Sequence, residues 1–411
     1  MLDIQFIREN PDEVKKGISS KNINPNLVDK LLKLDETRKS LILEIENLRS
    51  QRNKIAKEGK ASIEGKKIKD ELKTKEPELE KIEKEYKKTL FEIPNLPKDD
   101  VKIGKNDTEN EILRKWGEPK KFDFPIKDHL VLGEKLGIID TERASKVSGA
   151  RFAYLKADAA LLEFALLSFA METLVKVGFI PVIPPVLIKK EMMSGMGYLE
   201  HGGEEDMYIL DKDNMILIGT SEQSIGPMHA NEVLDVKKPI RYAGFSSCFR
   251  REAGSYGKDT KGIIRVHQFD KVEMFSFIHP DKSEEEHEFL LNLEEKLLQS
   301  LEIPYQVVKM CSGDLGTTAA RKYDLEGWIP SQNKYRELTS TSTVTDFQAR
   351  RLNIKFREKG QIKFVHMLNG TAFAMGRTIV AIIENNQQKD GSIVVPEVLR
   401  KWFGKDKIAH S

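Results

Sequence analysis

Cysteine is almost missing from this chain. Cys248 and Cys311 are the only two among 411 residues. Two cysteines make no disulfide framework, and the eight histidines form no Cys/His cluster with zinc-ligand spacing, so no structural zinc is expected. No run of 18 apolar residues is present, which argues against a membrane-spanning helix. The N-terminus "MLDIQFIREN" is charged and lacks the apolar core of a signal peptide, so the expected setting is cytoplasmic and reducing. Neither GxGxxG nor GxxxxGK[ST] occurs, which argues against Rossmann and P-loop nucleotide binding. Charge of one sign is missing too. With 67 Lys and Arg against 65 Asp and Glu, the net charge is +2, so any contact with nucleic acid must come from a local basic patch.

Charged residues make up 32% of the chain, above the usual quarter, and this excess points to a highly solvated element. The first hundred residues contain it. Leu27, Leu31, Leu34, Leu41, Ile45, Leu48 and Ile55 recur at steps of four and three, with Arg38 and Arg52 at the two remaining seam positions. This is the a/d seam of a long coiled-coil helix. "KEGKASIEGK" interrupts it with Gly59 and Gly65. A second seam follows through Ile68, Leu72, Leu79, Ile82 and Tyr86. The pattern predicts an antiparallel helical hairpin over about 26–93, within an N-terminal domain of residues 1–105. Pro77 lies inside the second seam, where a bend or local break is expected. By composition the hairpin reads as a dimerisation coiled coil. Lys54, Lys57, Lys60, Lys66, Lys67 and Lys69 crowd its tip, however, and a basic end of this kind neutralises phosphates.

"EIPNLPKDD" (Glu92 to Asp100) closes the hairpin, and residues 106–411 read as a globular α+β domain. Ala157 to Val177 and Glu284 to Leu301 have helical character. "GFIPVIPPVLI" (Gly178 to Ile188) and the runs Met215 to Gly219, Ile240 to Phe249, Ile263 to Phe277 and Ile362 to Leu368 have strand character. The order is no regular βαβ alternation, so a mainly antiparallel sheet with helices packed on it is expected.

The chemistry concentrates in "FRREAGSYGKDTKGIIRVHQFDKVEMF" (Phe249 to Phe275). Side chains alternate along a strand, so Arg250 and Glu252 are expected on one face and Arg251 on the other. Arg265, His267, Phe269, Lys271 and Glu273 share a face in the second strand, with Val272 and Met274 opposite. An arginine on such a floor clamps a phosphate bidentately, and Phe269 offers a ring to a base. Phe269 and Glu273 are about 13 Å apart along the strand, enough for a base at one end and a small charged partner at the other. The bland alternative is an amphipathic hairpin with solvated charges. His267 reads as structural, and the two cysteines as small packing residues.

This segment resembles motif 2 of class II aminoacyl-tRNA synthetases, in the form found in the seryl family. "GFIPVIPPVLI" is similar to motif 1, with Pro185 at the motif proline. "LNGTAFAMGRTIVAIIENNQ" (Leu368 to Gln387) is similar to motif 3, with Arg377 at the motif arginine. "TSE" (Thr220 to Glu222) resembles the serine-binding loop, "YRELTSTSTVTDFQARR" (Tyr335 to Arg351) the ATP and metal strand, and the charged hairpin the bacterial-type N-terminal arm.

The resemblance implies a homodimeric serine–tRNA ligase. Serine and ATP would give seryl-adenylate, and serine would then pass to the 3′ end of tRNA(Ser), with tRNA(Sec) left open. It implies Arg250, Glu252 and Arg377 as catalytic residues. Arg250, Arg251, Glu252, Val266, Phe269, Glu337, Leu338, Thr339, Ser340 and Arg377 would bind ATP. Thr220, Ser221, Glu222, Arg250, Glu273 and Thr371 would bind serine. Glu337 and Ser340 would serve Mg²⁺, which prefers hard oxygen ligands. Those two positions have opposite strand parity, so a bulge is expected between them. Lys258 and Lys261 are candidates for contact with phosphate or the tRNA end. Arg251 stands where the family usually has Ser, as does Thr371. Two other readings remain: a paralogue that loads a carrier protein, which would lack the arm, and a non-catalytic RNA-binding protein of the same fold, which would have lost Arg250, Glu273 or Arg377.

Overall fold

A computed structural model describes residues 1–57, 63–253 and 262–409. Gly59, Lys60, Lys258 and Lys261 lie outside the described residues. The chain divides into two compact units, Met1–Leu96 and Pro97–Ser411.

In the first unit, helices α1 (Asn26–Lys57) and α2 (Ile63–Glu92) form the hairpin. Its apolar seam is divided. A basal cluster joins Val28, Leu31, Leu90 and Ile93 to Ile7, Val14 and Ile18 of the short N-terminal helices. A distal cluster joins Ile45, Ile68 and Leu72, flanked by Leu48, Ile55 and Leu79. The seam arginines diverge. Arg38 lies 4.8 Å from the Tyr86 ring centroid, and Arg52 is exposed. Asp35 is buried at the base, where Arg8 donates two hydrogen bonds to it at 2.7 and 2.9 Å. Burial raises the Asp35 carboxyl, but Arg8 and Lys39 outweigh it and hold the group below its usual range. The expected break at Pro77 does not occur, since α2 is continuous through it. Pro77 is exposed, so the carbonyl that its ring leaves without a partner is open to water, which lowers the cost of a helical proline.

The second unit is built on an eight-stranded sheet. Its strands are β1 (Glu111–Trp116), β2 (Ile180–Val182), β3 (Ile240–Phe249), β4 (Gln268–Ile278), β5 (Tyr305–Lys309), β6 (Arg321–Ile329), β7 (Lys334–Thr345) and β8 (His366–Ala374). They lie in the order β1-β5-β6-β7-β8-β4-β3-β2 and are antiparallel except for β2 on β3. Helices α3 (Asp158–Lys176), α4 (Ser283–Ser300) and α5 (Met375–Asn385) share one core with the sheet. Leu162, Leu166, Leu290, Leu297, Ile379 and Ile382 meet Val272, Met274, Leu325, Leu338, Leu368 and Phe373 there. Alternation along β4 sends Val272 and Met274 into this core and leaves Lys271 and Glu273 on the cleft side.

The strand expected from Ile263 begins only at Gln268. The run Ile240 to Phe249 is β3 as expected, but the face alternation carried on from it to Glu252 has no strand beneath it. Past that point the chain turns, with Glu252 at φ +53° and Gly262 at φ +76°. A left-handed Glu252 cannot continue a strand. Among the described residues no helix is long and apolar enough to cross a membrane.

Candidate active site

The cleft lies over the centre of the sheet, where β4, β8 and β7 run side by side. Two adjoining cavities share Arg250, Lys271, Glu337, Ser340 and Thr371. One adds Glu252, Val266, Phe269 and Arg377. The other adds Thr220, Glu222 and Glu273.

In the first cavity the Arg250 guanidinium lies 5.5 Å from the Phe269 ring centroid, and its Nε donates to the Gly219 carbonyl at 3.2 Å. Glu252 reaches the same cavity through the left-handed turn, not by strand alternation, and accepts from Arg265 at 2.8 Å. Arg377, in the first turn of α5, donates to the Glu337 carbonyl at 3.1 Å and pairs with the Glu337 carboxylate at 3.1 Å. Burial pushes the Glu337 carboxyl up, but Arg377, Lys322 and Arg250 outweigh it and hold the group at about 2, so it is charged at neutral pH.

The bulge expected between Glu337 and Ser340 is present. Leu325 pairs with Thr339 while Glu326 pairs with Glu337, which leaves Leu338 as the extra residue. Glu337 and Ser340 both line the cleft. Leu338 is in the core, and the Thr339 hydroxyl turns to Glu294 of α4 at 2.8 Å. Of these four β7 positions, only Glu337 and Ser340 are left to present their side chains to a ligand, while Leu338 and Thr339 form the wall beneath.

In the second cavity two carboxyls face one another. Glu273 accepts from the Thr220 hydroxyl at 2.9 Å and is paired with Lys271. Glu222 accepts from the Tyr198 hydroxyl at 2.9 Å and from Gln348 at 3.3 Å. Burial, then repulsion from Glu273, pushes the Glu222 carboxyl up to about 7. Thr371 pairs with Glu273 across β4 and β8 and lines both cavities.

Two of the expected site residues are not brought into the cleft. Arg251 Nε donates to the Met207 carbonyl at 2.9 Å, with its guanidinium 5.2 Å from the Tyr208 ring centroid. Its backbone N–H is tied to Asp206, which turns the side chain away from Arg250. Ser221 is fully buried and donates to the Gly244 carbonyl at 3.2 Å, behind the loop that carries Thr220. His267 is held between backbone and rings. Its Nδ1 is 3.0 Å from the Arg250 carbonyl, and its ring centroid 5.4 Å from that of Phe152. Both cysteines are free and buried.

Sequence reasoning assigns no role to Lys271, Tyr198 or Lys322, which line the cleft, or to Gln348 and Asp324, which bond Glu222 and Lys322 there. Lys271 shares a strand face with Phe269 and Glu273, and that alternation is the signal for it. Tyr198 comes from a distant segment with no pattern to mark it, and Gln348, although inside the Tyr335 to Arg351 segment, sits past the end of β7, where strand alternation gives no guide.

The raised Glu222 carboxyl makes ligand binding pH-dependent. A neutral carboxyl does not attract an ammonium ion, and an ionised one does. If this cavity takes the ammonium of an amino acid, affinity is therefore fully present above pH 7 and is lost as pH falls through that value. The amino acid KM should rise up to about tenfold per pH unit below 7. Glu222→Gln should remove this slope while raising KM by about a hundredfold. Steady-state kinetics from pH 5.5 to 8 read both; a flat profile in the unsubstituted protein would exclude Glu222 from ammonium recognition.

Comparisons with known proteins agree along the whole chain. The seryl-tRNA synthetase N-terminal domain family matches residues 1–97. The class II tRNA synthetase core domain family (G, H, P, S and T) matches residues 207–386. The chain is 49% identical to a serine–tRNA ligase of Thermobifida fusca, over 99% of this chain and 98% of that one. It is 45% identical to that of Dictyoglomus turgidum, over 99% of each. The seryl-tRNA synthetase of Pyrococcus horikoshii, solved in complex with ATP, superposes with a TM-score of 0.93 at 41% identity over 100% of both chains. The cytoplasmic serine–tRNA ligase of Naegleria fowleri, solved with AMP, gives a TM-score of 0.89 at 36% identity, covering 100% of this chain and 99% of that one. With both halves matched in order and identity near one half over full length, the chain belongs to the seryl-tRNA synthetase family.

Proposed function

We propose that this protein activates L-serine with ATP to seryl-adenylate and transfers serine to tRNA(Ser), in a cytoplasmic setting. One observation carries the reading. A pair of buried carboxyls beside a hydroxyl, Glu222 and Glu273 with Thr220, adjoins a cationic, aromatic cavity walled by Arg250, Phe269, Glu337 and Arg377. The serine ammonium belongs between the carboxyls, and its hydroxyl near Thr371. The adenine stacks on Phe269 beside Val266. Arg250 offsets charge growing on the α-phosphate as the serine carboxylate attacks it, and Arg377 holds the terminal phosphate. Catalysis rests on alignment and charge stabilisation, with no covalent enzyme nucleophile.

Glu337 and Ser340 fit Mg²⁺. Glu337 is held ionised, Ser340 adds a hydroxyl oxygen on the same wall, and hard oxygen donors are what this ion prefers. Among the described residues no group of three or more His, Cys, Asp or Glu is placed to hold a metal. The remaining positions would go to phosphate oxygens and water. The ion would neutralise phosphate charge.

A homodimer is supported by apolar side chains left open around the motif-1-like segment. Phe164 is 62% exposed and Ile183 86%. The hairpin is assigned to tRNA because Lys54, Lys57, Lys66, Lys67 and Lys69 are exposed near its tip.

Pyrophosphate exchange, run one amino acid at a time, tests the reading. Serine should support exchange. Alanine should fall about a thousandfold or more below it, because a site built to bond the substrate hydroxyl is left with unpaired polar groups by alanine. Exchange that does not depend on serine would overturn the assignment.

A further inference from the structure

The ladder between β7 and β8 stops at the cleft. Thr341 pairs with Gly370, and the pairs beyond it run away from the site. Yet both strands continue into the cleft, β7 back through Ser340 and Glu337, β8 on through Thr371. The two strands part in a fork. Glu294, from α4 on the opposite side of the sheet, lies beneath that fork. It is fully buried. Its Oε2 accepts from the Thr339 hydroxyl at 2.8 Å on the β7 side. Its Oε1 lies 2.8 Å from the point where any side chain at Gly370 would begin, on the β8 side, so a side chain there would force the carboxyl to shift. Oε1 makes no close hydrogen bond, although the Thr371 backbone N–H also draws on the carboxyl from the β8 side. A half-satisfied carboxyl in a core is costly to keep, and packing alone would favour a methionine or leucine.

We propose that Glu294 is a positioning residue for serine activation: from below, its carboxyl sets the width of the β7–β8 fork and so the distance from Ser340 and Glu337 to Thr371. This rests on the assignment of the cleft to ATP and serine. Ser340 follows Thr339 directly, and on β8 the carboxyl sits against Gly370 and the Thr371 backbone N–H, so each arm of the fork carries its cleft residue at, or one position beyond, its contact with Glu294. A carboxyl wedged between the arms holds the ATP side and the serine side of the cleft in register. Alignment of this kind is steep, since about 1 Å of misplacement costs about a hundredfold in rate. Burial pushes the Glu294 carboxyl well above the usual range, with repulsion from Glu273 and Asp324 adding to it against the pull of Thr339. Burial thus favours the uncharged acid, and a carboxamide of the same shape should replace it.

Glu294→Met and Glu294→Gln separate positioning from mere packing. Methionine fills the space but cannot bond Thr339. In Glu294→Met, kcat for serine-dependent pyrophosphate exchange should fall about a hundredfold. KM for serine and ATP should stay within about threefold, and the thermal midpoint should hold or rise, because a half-satisfied polar group has left the core. Glu294→Gln should keep kcat within about threefold. The proposal is overturned if Glu294→Met keeps its kcat, if it loses activity together with thermal stability, or if Glu294→Gln is as damaged as Glu294→Met. Arg250→Ala, assayed alongside, reports on the cleft assignment itself. Full exchange in that variant would sink the assignment independently of Glu294.

Discussion

Arg250→Ala should lower serine-dependent pyrophosphate exchange by at least about a thousandfold, whereas Arg251→Ser should leave it within about threefold. The two arginines are adjacent but anchored to different walls. Arg250 leans on the Gly219 carbonyl and over Phe269, facing the cavity that Glu337 and Arg377 close from the other side. Charge that develops on a phosphate there meets a preorganised guanidinium inside a walled cavity, where such a donor is worth more than in solution. Arg251 is spent on the Met207 carbonyl and the Tyr208 ring. Its loss removes a surface-side hydrogen bond and a cation–π contact together worth about 1–2 kcal/mol of local stability. Thermal melts should therefore report Arg251→Ser, and exchange kinetics should report Arg250→Ala. Equal damage to exchange in both would mean that the pair acts as one phosphate clamp.

The strand-parity argument for this pair reaches the right separation by the wrong geometry. Alternation needs a strand through Glu252, and β3 ends at Phe249. Arg250 and Glu252 share the cavity because the chain turns at a left-handed Glu252. No residue in "FRREAG" announces that turn, since glutamate rarely adopts such a φ. Parity succeeds where the strands are real. Along β4 it places Phe269, Lys271 and Glu273 together, and along β7 the mismatch between Glu337 and Ser340 predicts the bulge found at Leu338. The seam of the hairpin is legible for a similar reason: a period of three and four depends only on local spacing.

What the sequence hides is burial of charge. Glu294 and Glu295 are neighbours in an acidic helix, yet Glu294 is buried against the sheet and bonds Thr339, while Glu295 pairs with Arg114. Composition ranks both as surface carboxylates. Tyr198 is equally silent, and within the flagged Tyr335 to Arg351 segment nothing singles out Gln348, because their contacts depend on which distant segment folds beside Glu222. Pro77 errs in the other direction. A proline looks like a break in sequence, but its exposed position lets water satisfy the carbonyl that it leaves free.

Shortening the hairpin should separate the two half-reactions. Its apolar contacts fall into a basal cluster around Leu31 and Leu90 and a distal cluster around Ile45 and Leu72. Replacing residues 40–80 with a short Gly-Ser turn removes the distal cluster and keeps the base, with its Arg8–Asp35 pair. The residues proposed for catalysis all lie in the other compact unit. Pyrophosphate exchange in the shortened protein should therefore stay within about threefold of the parent. Aminoacylation of tRNA(Ser) should fall at least about a hundredfold in kcat/KM, which is what losing three to five phosphate contacts costs at moderate salt. Lys54, Lys57, Lys66, Lys67 and Lys69 are all exposed on the segment removed. Changing them together to glutamine in the full-length chain should reproduce much of this loss and flatten the salt dependence of tRNA binding by roughly one unit of slope per phosphate contact. The hairpin has few aromatic side chains with which to stack unpaired bases, so its grip should be on the shape and backbone of a duplex. If the shortened protein still charges tRNA(Ser) at the parental rate, the arm is no tRNA-binding element, and the basic tip is left as a solvated end of a coiled coil. If exchange is lost together with aminoacylation, the two units are not independent in catalysis, and the division of labour drawn from the two clusters fails.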